Sequence, residues 1–447
     1  MGLKSTLKNL LPPAALDLYH RSMARAAAAW YGNPSERLFV IGVTGTNGKS
    51  STVQFIGRTL ENAGYRVGWT STAGFKVGGR EWANDKKMTM LGRFQTQKLL
   101  RQMLDTGCTH AIVETSSQGV VQHRHVGINY DVAVWTNLTP EHIEAHGGFE
   151  NYKKAKGAFF AHVMAGKKKR DADGSPRQKT SVVNVDADHA PYFLSFPAGR
   201  RYGYGVKGKT LPANVLGAPF VPVTAENLEV RADGSSFTVE GHAFTLKPIG
   251  LFNVYNVLAA IATCRAAGLA WEPLWRAVAK LEPVPGRLEF VDAGQAFPIV
   301  VDYAYEPAAL NACFDALAPL VTGRVIHVLG SAGGGRDVAR RPVLGDLSAR
   351  RADISIVTNE DPYDDPPERI IDQVAEGALK AGKKDGVNLF RILARQAAID
   401  AAVSMAKPGD LVLITGKGSE PVMAVANGKT VPWDDRDAAR RAVRSHA

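Results

Sequence analysis

Val40-Ile-Gly-Val-Thr44-Gly45-Thr46-Asn47-Gly48-Lys49-Ser50 decides how this chain folds. The apolar, β-branched run Leu38–Val43 reads as a buried strand, and it breaks into Thr44–Gly48 before a helical pattern begins at Lys49-Ser50. A strand that turns through glycines into a helix start makes a phosphate cradle. Backbone N–H groups close around the anion, and the helix N-terminus adds partial positive charge. Lys49 can reach the outer phosphates, and the Ser50 hydroxyl can ligate magnesium. The usual spacing puts a glycine five residues before Gly48. Val43 stands there, with the glycine displaced to Gly45, so the loop is a variant form.

Around this loop, strand-like and helix-like stretches alternate, which predicts an α/β fold with mainly parallel sheets. The pattern predicts helices over 50–62, 94–106 and 151–163, and strands over 65–71, 109–114 and 130–135. Residues 198–246 carry short β patterns with Gly and Pro and suggest an antiparallel insert; a helical region follows from Asn253 to about Lys280. Glu282-Pro-Val-Pro-Gly286 is stiff and turn-prone, a natural hinge. Beyond it, strands near 298–302, 324–329, 353–357 and 410–415 alternate with helices, predicting a second, doubly wound (Rossmann-like) unit. The expected domains are a helical segment 1–36, a P-loop ATPase-like central domain 37–283 and a C-terminal α/β domain 284–447. Within 1–36, Leu16, Tyr19, Met23, Ala27 and Trp30 fall near one helical face, expected to dock on the neighbouring domain; a membrane surface or partner is the alternative.

Bulk properties narrow the function. The chain has 447 residues, 45% hydrophobic and 22% charged, an ordinary balance for a globular protein with sizeable cores. A net charge of +11 suits nucleotide and polycarboxylate ligands. Lys167-Lys-Lys-Arg170 reads as an exposed loop without interleaved aromatics, which argues against nucleic acid. Cys108, Cys264 and Cys313 lie far apart without metal spacing, as expected of unpaired thiols in a cytoplasmic protein. No apolar run approaches the length of a transmembrane span.

Two further constellations carry chemistry. Ile112-Val-Glu114-Thr-Ser-Ser-Gln-Gly119 puts a carboxylate at the carboxyl end of a buried strand, where α/β sheets hold ligands, so Glu114 can complete a magnesium site with Ser50. Arg124, shortly after it, offers a fork for a substrate carboxylate or phosphate. Trp135-Thr-Asn-Leu-Thr-Pro-Glu-His142-Ile-Glu-Ala-His146 follows another strand end, and His142 is a plausible second metal ligand; a zinc site would need a third soft ligand that the spacing lacks.

Thr44–Ser50, Glu114-Thr-Ser-Ser, Thr136-Asn-Leu-Thr-Pro-Glu-His142 and Tyr152…Lys156 together resemble the Mur ligases, with the closest likeness to MurE-type members, which add the third amino acid to UDP-N-acetylmuramoyl-L-Ala-D-Glu. The likeness continues through Gly250-Leu-Phe-Asn253-Val-Tyr-Asn256, Pro285-Gly-Arg287, Val301-Asp-Tyr-Ala304, Arg336-Asp337 to Arg341-Pro342 and Gly416-Lys-Gly-Ser-Glu420, over about residues 37–440. The resemblance implies an ATP-dependent amide ligase of peptidoglycan synthesis. In that picture Lys49 and the Thr44–Ser50 amides hold ATP, and Ser50 and Glu114 hold one Mg²⁺. Glu114, His142 and a carbamylated Lys156 hold a second. It further implies Asn253 and Asn256 on the adenine side, Arg287 at the phosphates and Asp302 at the nucleotide. Thr89, Ser116 and Arg124 would grip the muramoyl peptide, and Asp361 and Glu420 the added amino acid.

Three departures stand out. Only about 36 residues precede the P-loop strand, where muramoyl ligases usually carry a UDP-binding domain. The Asp-Asn-Pro-Arg motif of diaminopimelate-adding members reads Glu360-Asp361-Pro362-Tyr363, without the arginine for a distal carboxylate, so diaminopimelate, lysine and ornithine all stay open. Tyr305 replaces the usual histidine after Asp-Tyr-Ala, and the segment 330–335 differs from the family form. The alternatives are a folylpolyglutamate synthase-like ligase, which the Glu114…Arg124 segment disfavours, and a non-catalytic Mur-like subunit, which would not need both metal sites.

Overall fold

The computed structural model describes residues 12–141, 143–206 and 219–446. The expected metal ligand His142 and residues 1–11 of the N-terminal segment lie outside the described residues.

One sheet holds β1 (Phe39–Thr44), β2 (Val67–Thr70), β3 (Phe75–Val77), β4 (Arg80–Trp82), β5 (His110–Glu114), β6 (Val132–Trp135), β7 (Thr180–Asn184), β8 (Arg200–Val206), β9 (Phe220–Arg231), β10 (Gly234–Val239) and β11 (His242–Leu246). Their spatial order is β11-β10-β9-β8-β7-β6-β1-β5-β2-β3-β4. From β2 to β9 neighbours run parallel; β3, β4, β10 and β11 are antiparallel additions at the two edges. The central strands read as unbroken apolar runs because both faces are covered. Ile41 and Val43 pack with the helices Lys49–Asn62 and Leu251–Ala266, while Leu38 and Val40 pack with Phe159 and Phe160 of the helix Phe149–Met164 on the opposite face. Gly42 is required by that second face, since a Cβ there would sit 2.3 Å from the Phe159 ring.

Residues 198–246 differ from the expected antiparallel insert. β8 and β9 join the main sheet in parallel register, Arg201 opposite Phe220, and only β9 through β11 run antiparallel. Gly203 permits this, since the Phe220 ring and Val185 fill the space beside it where a side chain would project. The expected helical region is two helices, Leu251–Ala266 and Trp271–Val278, divided at Gly268 (φ +92°).

A second sheet comprises β12 (Glu289–Val291), β13 (Ile299–Asp302), β14 (Val325–Leu329), β15 (Ile354–Thr358), β16 (Leu389–Ile392) and β17 (Leu411–Thr415). Its order is β12-β13-β17-β14-β15-β16, all parallel except the first pair. Between the sheets runs the Pro-rich stretch 282–286. Gly286 (φ +68°) lies so close to the chain at Ser419 that a Cβ would fall 2.0 Å from its amide nitrogen.

The helix Pro13–Trp30 buries Ala24, Ala27 and Ala28, and Gly127 approaches the Ala24 carbonyl. Tyr19 and Trp30 are not on the docked face: they are 54% and 79% exposed, because small alanines allow a closer approach than the expected aromatic stripe. Lys169 also departs from the exposed loop expected for 167–170. It turns inward, donating to the Leu38 carbonyl (2.7 Å) and pairing with buried Asp131.

Candidate active site

The carboxyl ends of β1, β5 and β6 meet at a cavity of about 340 Å³. Its floor is the loop after β1, held from below by the segment after β6. The Thr46 amide donates to the Asn137 carbonyl (3.0 Å), the Asn47 amide to Asn137 Oδ1 (2.9 Å), and Thr136 Oγ1 to the Asn47 carbonyl (2.7 Å). Gly45 is needed because a Cβ would lie 1.9 Å from Thr136 Oγ1. Gly48 (φ +78°) is needed because Asn256 Oδ1 would stand 2.2 Å from one. Thr44 is fully buried at the end of β1 and contributes backbone, its carbonyl accepting from Thr136 N.

Ser50 Oγ donates to Glu114 Oε2 at 2.8 Å, so the two side chains expected to share a cation are in contact. Glu114 also accepts from the Thr72 amide (2.7 Å) and hydroxyl (3.1 Å), and the Thr72 and Thr89 hydroxyls are hydrogen-bonded at 3.0 Å. Thr89 is thereby tied to the same wall of the cavity. Lys49 Nζ turns back to the Thr46 carbonyl (2.5 Å) at the cavity edge.

Lys156 comes up from the helix Phe149–Met164 and donates to the Gly45 carbonyl at 2.6 Å, directly behind the loop. It is 1% exposed. Burial first, and then the neighbouring Lys49 charge, holds its ammonium well below the usual lysine range. Tyr152 caps this corner, its ring 4.4 Å from Lys156 Nζ and its hydroxyl 3.0 Å from Thr46 Oγ1. Buried Glu141 lies close enough to Lys156 to oppose that depression electrostatically.

Of the two asparagines expected on the adenine side, Asn256 reaches the cavity while Asn253 does not. Asn253 bonds the Ile249 carbonyl (2.9 Å) and accepts from Asn256 Nδ2 (3.2 Å), so it orients its neighbour. The opposite wall is built by Arg287 and the segment Asp302–Glu306 at the end of β13. Burial raises the Asp302 carboxyl, although Arg287 and the amides of Leu288 (2.7 Å) and Ala304 (2.6 Å) act the other way. Arg287 lies 4.2 Å over the Tyr303 ring. Glu306 accepts from Asn47 Nδ2 (2.6 Å) and Tyr305 donates to Glu141 Oε1 (2.6 Å), so the second sheet closes directly on the loop.

Ser116 and Arg124 do not line the cavity. Ser116 caps the short helix Ser117–Val121, accepting from Gly119 N (3.1 Å), and Arg124 donates to the Met90 carbonyl, bracing the segment that carries Thr89. Asp361 and Glu420 form a second, buried cluster linked to the cavity through Tyr303, whose hydroxyl donates to Glu420 Oε1 at 3.1 Å. Both carboxylates also receive Lys417 Nζ, at 2.9 Å (Asp361) and 2.7 Å (Glu420).

Sequence reading missed Asn137, Glu141, Tyr303, Glu306, Lys87 and Lys417. The Asn137, Glu141, Tyr303 and Lys417 positions lie inside motifs it quoted without assigning them a part, whereas Glu306 meets Asn47 across 259 residues and leaves no local signal.

A phosphate loop backed by a buried amine and acid, with a second α/β unit bringing a charged pocket to its mouth, is built for ATP-driven joining of an acid to an amine. The chain belongs to the Mur ligase family, ATP-dependent and ADP-forming amide ligases that typically require Mg²⁺: residues 43–264 match the Mur ligase middle domain and 286–418 the Mur ligase, glutamate ligase domain. A relative in Roseiflexus sp. (strain RS-1), called UDP-N-acetylmuramyl-tripeptide synthetase, is 38% identical over 434 residues, covering 94% of this chain and 82% of its own. A solved UDP-N-acetylmuramoyl-L-alanyl-D-glutamate–2,6-diaminopimelate ligase is 27% identical with a TM-score of 0.57, covering 92% of this chain and 79% of that one. Folylpolyglutamate synthase of Mycobacterium tuberculosis shares the fold, with a TM-score of 0.66 at 17% identity over 89% of this chain and 92% of its own. Among the described residues no helix is long and apolar enough to cross a membrane.

Proposed function

We propose that this ligase joins a diamino acid to the free carboxylate of a muramoyl dipeptide through an acyl phosphate, using a central unit of residues 37–283 and a C-terminal unit of 284–447. The observation that carries the reading is the Ser50–Glu114 contact beneath the loop, with Lys156 buried behind it and Tyr303 joining the cavity to the Asp361–Glu420 pair.

In this reading the acceptor lies along Thr89, with Arg124 and Ser116 shaping the segment that holds it. Its carboxylate is a poor electrophile, so an oxygen attacks the γ-phosphorus of ATP and ADP leaves. Lys49 swings from the Thr46 carbonyl to the phosphates and offsets their charge. The amino group of the incoming amino acid then attacks the acyl carbon, loses a proton, and expels inorganic phosphate. Asn256 borders the adenine side with Asn253 behind it. Arg287 and Asp302 face the nucleotide from the second sheet, whose closure excludes water from the acyl phosphate.

Ser50 and Glu114 fit one Mg²⁺, being hard oxygen donors already in contact. A second would be held by Glu114, His142 and Lys156. Lysine is cationic in water and binds no Mg²⁺, but burial favours the neutral amine of Lys156, which can add CO₂ and release a proton to become an oxygen donor. The ions supply charge neutralisation at the transferring phosphoryl group.

The deciding experiment incubates the protein with ATP, Mg²⁺, UDP-muramoyl-L-Ala-D-Glu and a panel of diamino acids. A mass increase matching one amide bond, with equal phosphate release, is expected. Glutamate added to a folate, with no product from the muramoyl dipeptide, would replace this reading with the folylpolyglutamate one.

A further inference from the structure

Lys87 crosses from the segment between β4 and the helix Arg93–Asp105 to the far unit and ends between Asp361 and Glu420. Its Nζ donates to Asp361 Oδ2 at 2.6 Å and to Glu420 Oε2, and its side chain is only 12% exposed. The partners are separated by 274 and 333 residues, so the contact is made by the fold and not by chain proximity. Lys87 adopts φ +51°, a left-handed conformation uncommon for a residue with a Cβ, and two residues further on Thr89 stands in the catalytic cavity.

The four side chains balance. Two carboxylates meet two ammonium groups, Lys87 and Lys417. Lys417 is fully buried and also donates to the Val422 carbonyl (2.8 Å), whereas Lys87 belongs to the opposite unit and can leave by moving its segment. Asp361 Oδ1 is further held by the Ala424 amide (2.7 Å), and Glu420 Oε1 by Tyr303. The chemistry that Lys87 presents there, an ammonium on an unbranched four-carbon stem, is that of the side chain of a diamino acid. A third ammonium in the same place would leave one cation uncompensated in a low-dielectric pocket.

We propose that Lys87 is a specificity-determining residue: it occupies the seat between Asp361 and Glu420 that the side-chain ammonium of the incoming diamino acid takes, and must be displaced for that substrate to bind. The proposal rests on the diamino-acid reading above. Displacement also frees the backbone that carries Thr89, so amino-acid binding is felt at the acceptor wall.

Lys87→Met keeps the stem and removes the charge. Titration calorimetry with lysine, ornithine and diaminopimelate, compared with norleucine, reads the seat directly and needs no acceptor. At least a tenfold tighter binding of one of the diamino acids by the variant is expected, with norleucine changed by less than twofold and Lys87→Arg behaving like the wild type. Hydrogen exchange of residues 84–90 should quicken when that diamino acid binds the wild-type protein. Unchanged or weaker diamino-acid binding by Lys87→Met, or an equal shift for norleucine, overturns the proposal. Wild-type binding of diamino acids without any muramoyl product would instead strike the acceptor assignment and leave the Lys87 comparison readable.

Discussion

Lys156, Lys49 and Gly48 meet at the loop, and the duty proposed for each can be tested separately. Lys156→Ala should abolish turnover and regain part of it with millimolar formate or acetate, which can supply the missing oxygen; full activity without them would remove the carbamate from the mechanism. Lys49→Ala should abolish acyl-phosphate formation, measured by trapping with hydroxylamine, while leaving the melting temperature near wild type because, among the described residues, its side chain bonds only a loop carbonyl at the cavity edge. Gly48→Ala puts a methyl against Asn256 Oδ1 in a left-handed turn, and should weaken ATP binding by about tenfold or more, roughly 1.4 kcal/mol. Unaltered nucleotide affinity in that variant would mean the loop is not the cradle. The Ser50–Glu114 contact was legible in the sequence because each residue sits in a contiguous motif of the kind that phosphate and cation chemistry uses, whereas Lys156 was singled out only through the family resemblance. Lys87 was not legible: nothing around Lys86-Lys87-Met88 distinguishes a lysine bridging two units from one facing water. Asn253 was legible as part of a motif, but its position behind Asn256 depends on which side of a helix meets the cavity.

Among the elements, strands buried on both faces were the easiest to read, since β1, β14 and β17 are β-branched at more than half of their positions. In the stretch from β8 to β11 the antiparallel β9–β11 part is as expected but the β8–β9 pairing is not, because Gly and Pro mark turns without fixing which neighbour a strand pairs with, and β8–β9 register is set by the packing of Phe220 over Gly203. β14 carries a further consequence. Its central His327 is fully buried between Ser348 Oγ (2.8 Å) and Thr415 Oγ1 (2.9 Å), and burial lowers its pKa from 6.5 to about 3. The folded state disfavours the proton, so this contribution is complete above pH 6.5 and is lost as pH falls toward 3, by at most about 1.4 kcal/mol per pH unit. Denaturant unfolding followed between pH 7.5 and pH 4 should show that acid limb, and His327→Asn should be less stable at pH 7.5 yet flatter toward acid. An equally steep limb in the variant would assign the acid sensitivity elsewhere, with His125 (about 3) and His110 (about 4) next in line.

At the scale of the whole molecule, the two sheets meet at the mouth of the cavity through polar contacts, Tyr305 to Glu141, Asn47 to Glu306 and Lys87 to the Asp361–Glu420 pair. Such contacts are individually worth only about 1–3 kcal/mol, so the arrangement described is one that ligands can stabilise and their departure can loosen. Tyr305→Phe removes one of them without disturbing either core. Small-angle scattering of that variant should show a larger radius of gyration than wild type without ligand, and convergence of the two once ATP analogue and substrates are added. Identical curves throughout would assign the contact no part in closure. The break between the two sheets was legible from Glu282-Pro-Val-Pro-Gly286, whereas the faces that meet across it were not, because they are assembled from segments hundreds of residues apart.

Two of the three sulfhydryls, Cys108 and Cys264, are buried in the packed layers on either side of the first sheet, and the third, Cys313, is buried from the outer surface but lines the cavity. A maleimide added to the native enzyme therefore meets no thiol on the outer surface, and Cys313→Ala would remove the one at the cavity wall. Dye pairs installed on opposite lips of the cleft in that variant would report opening and closing in single molecules against little background.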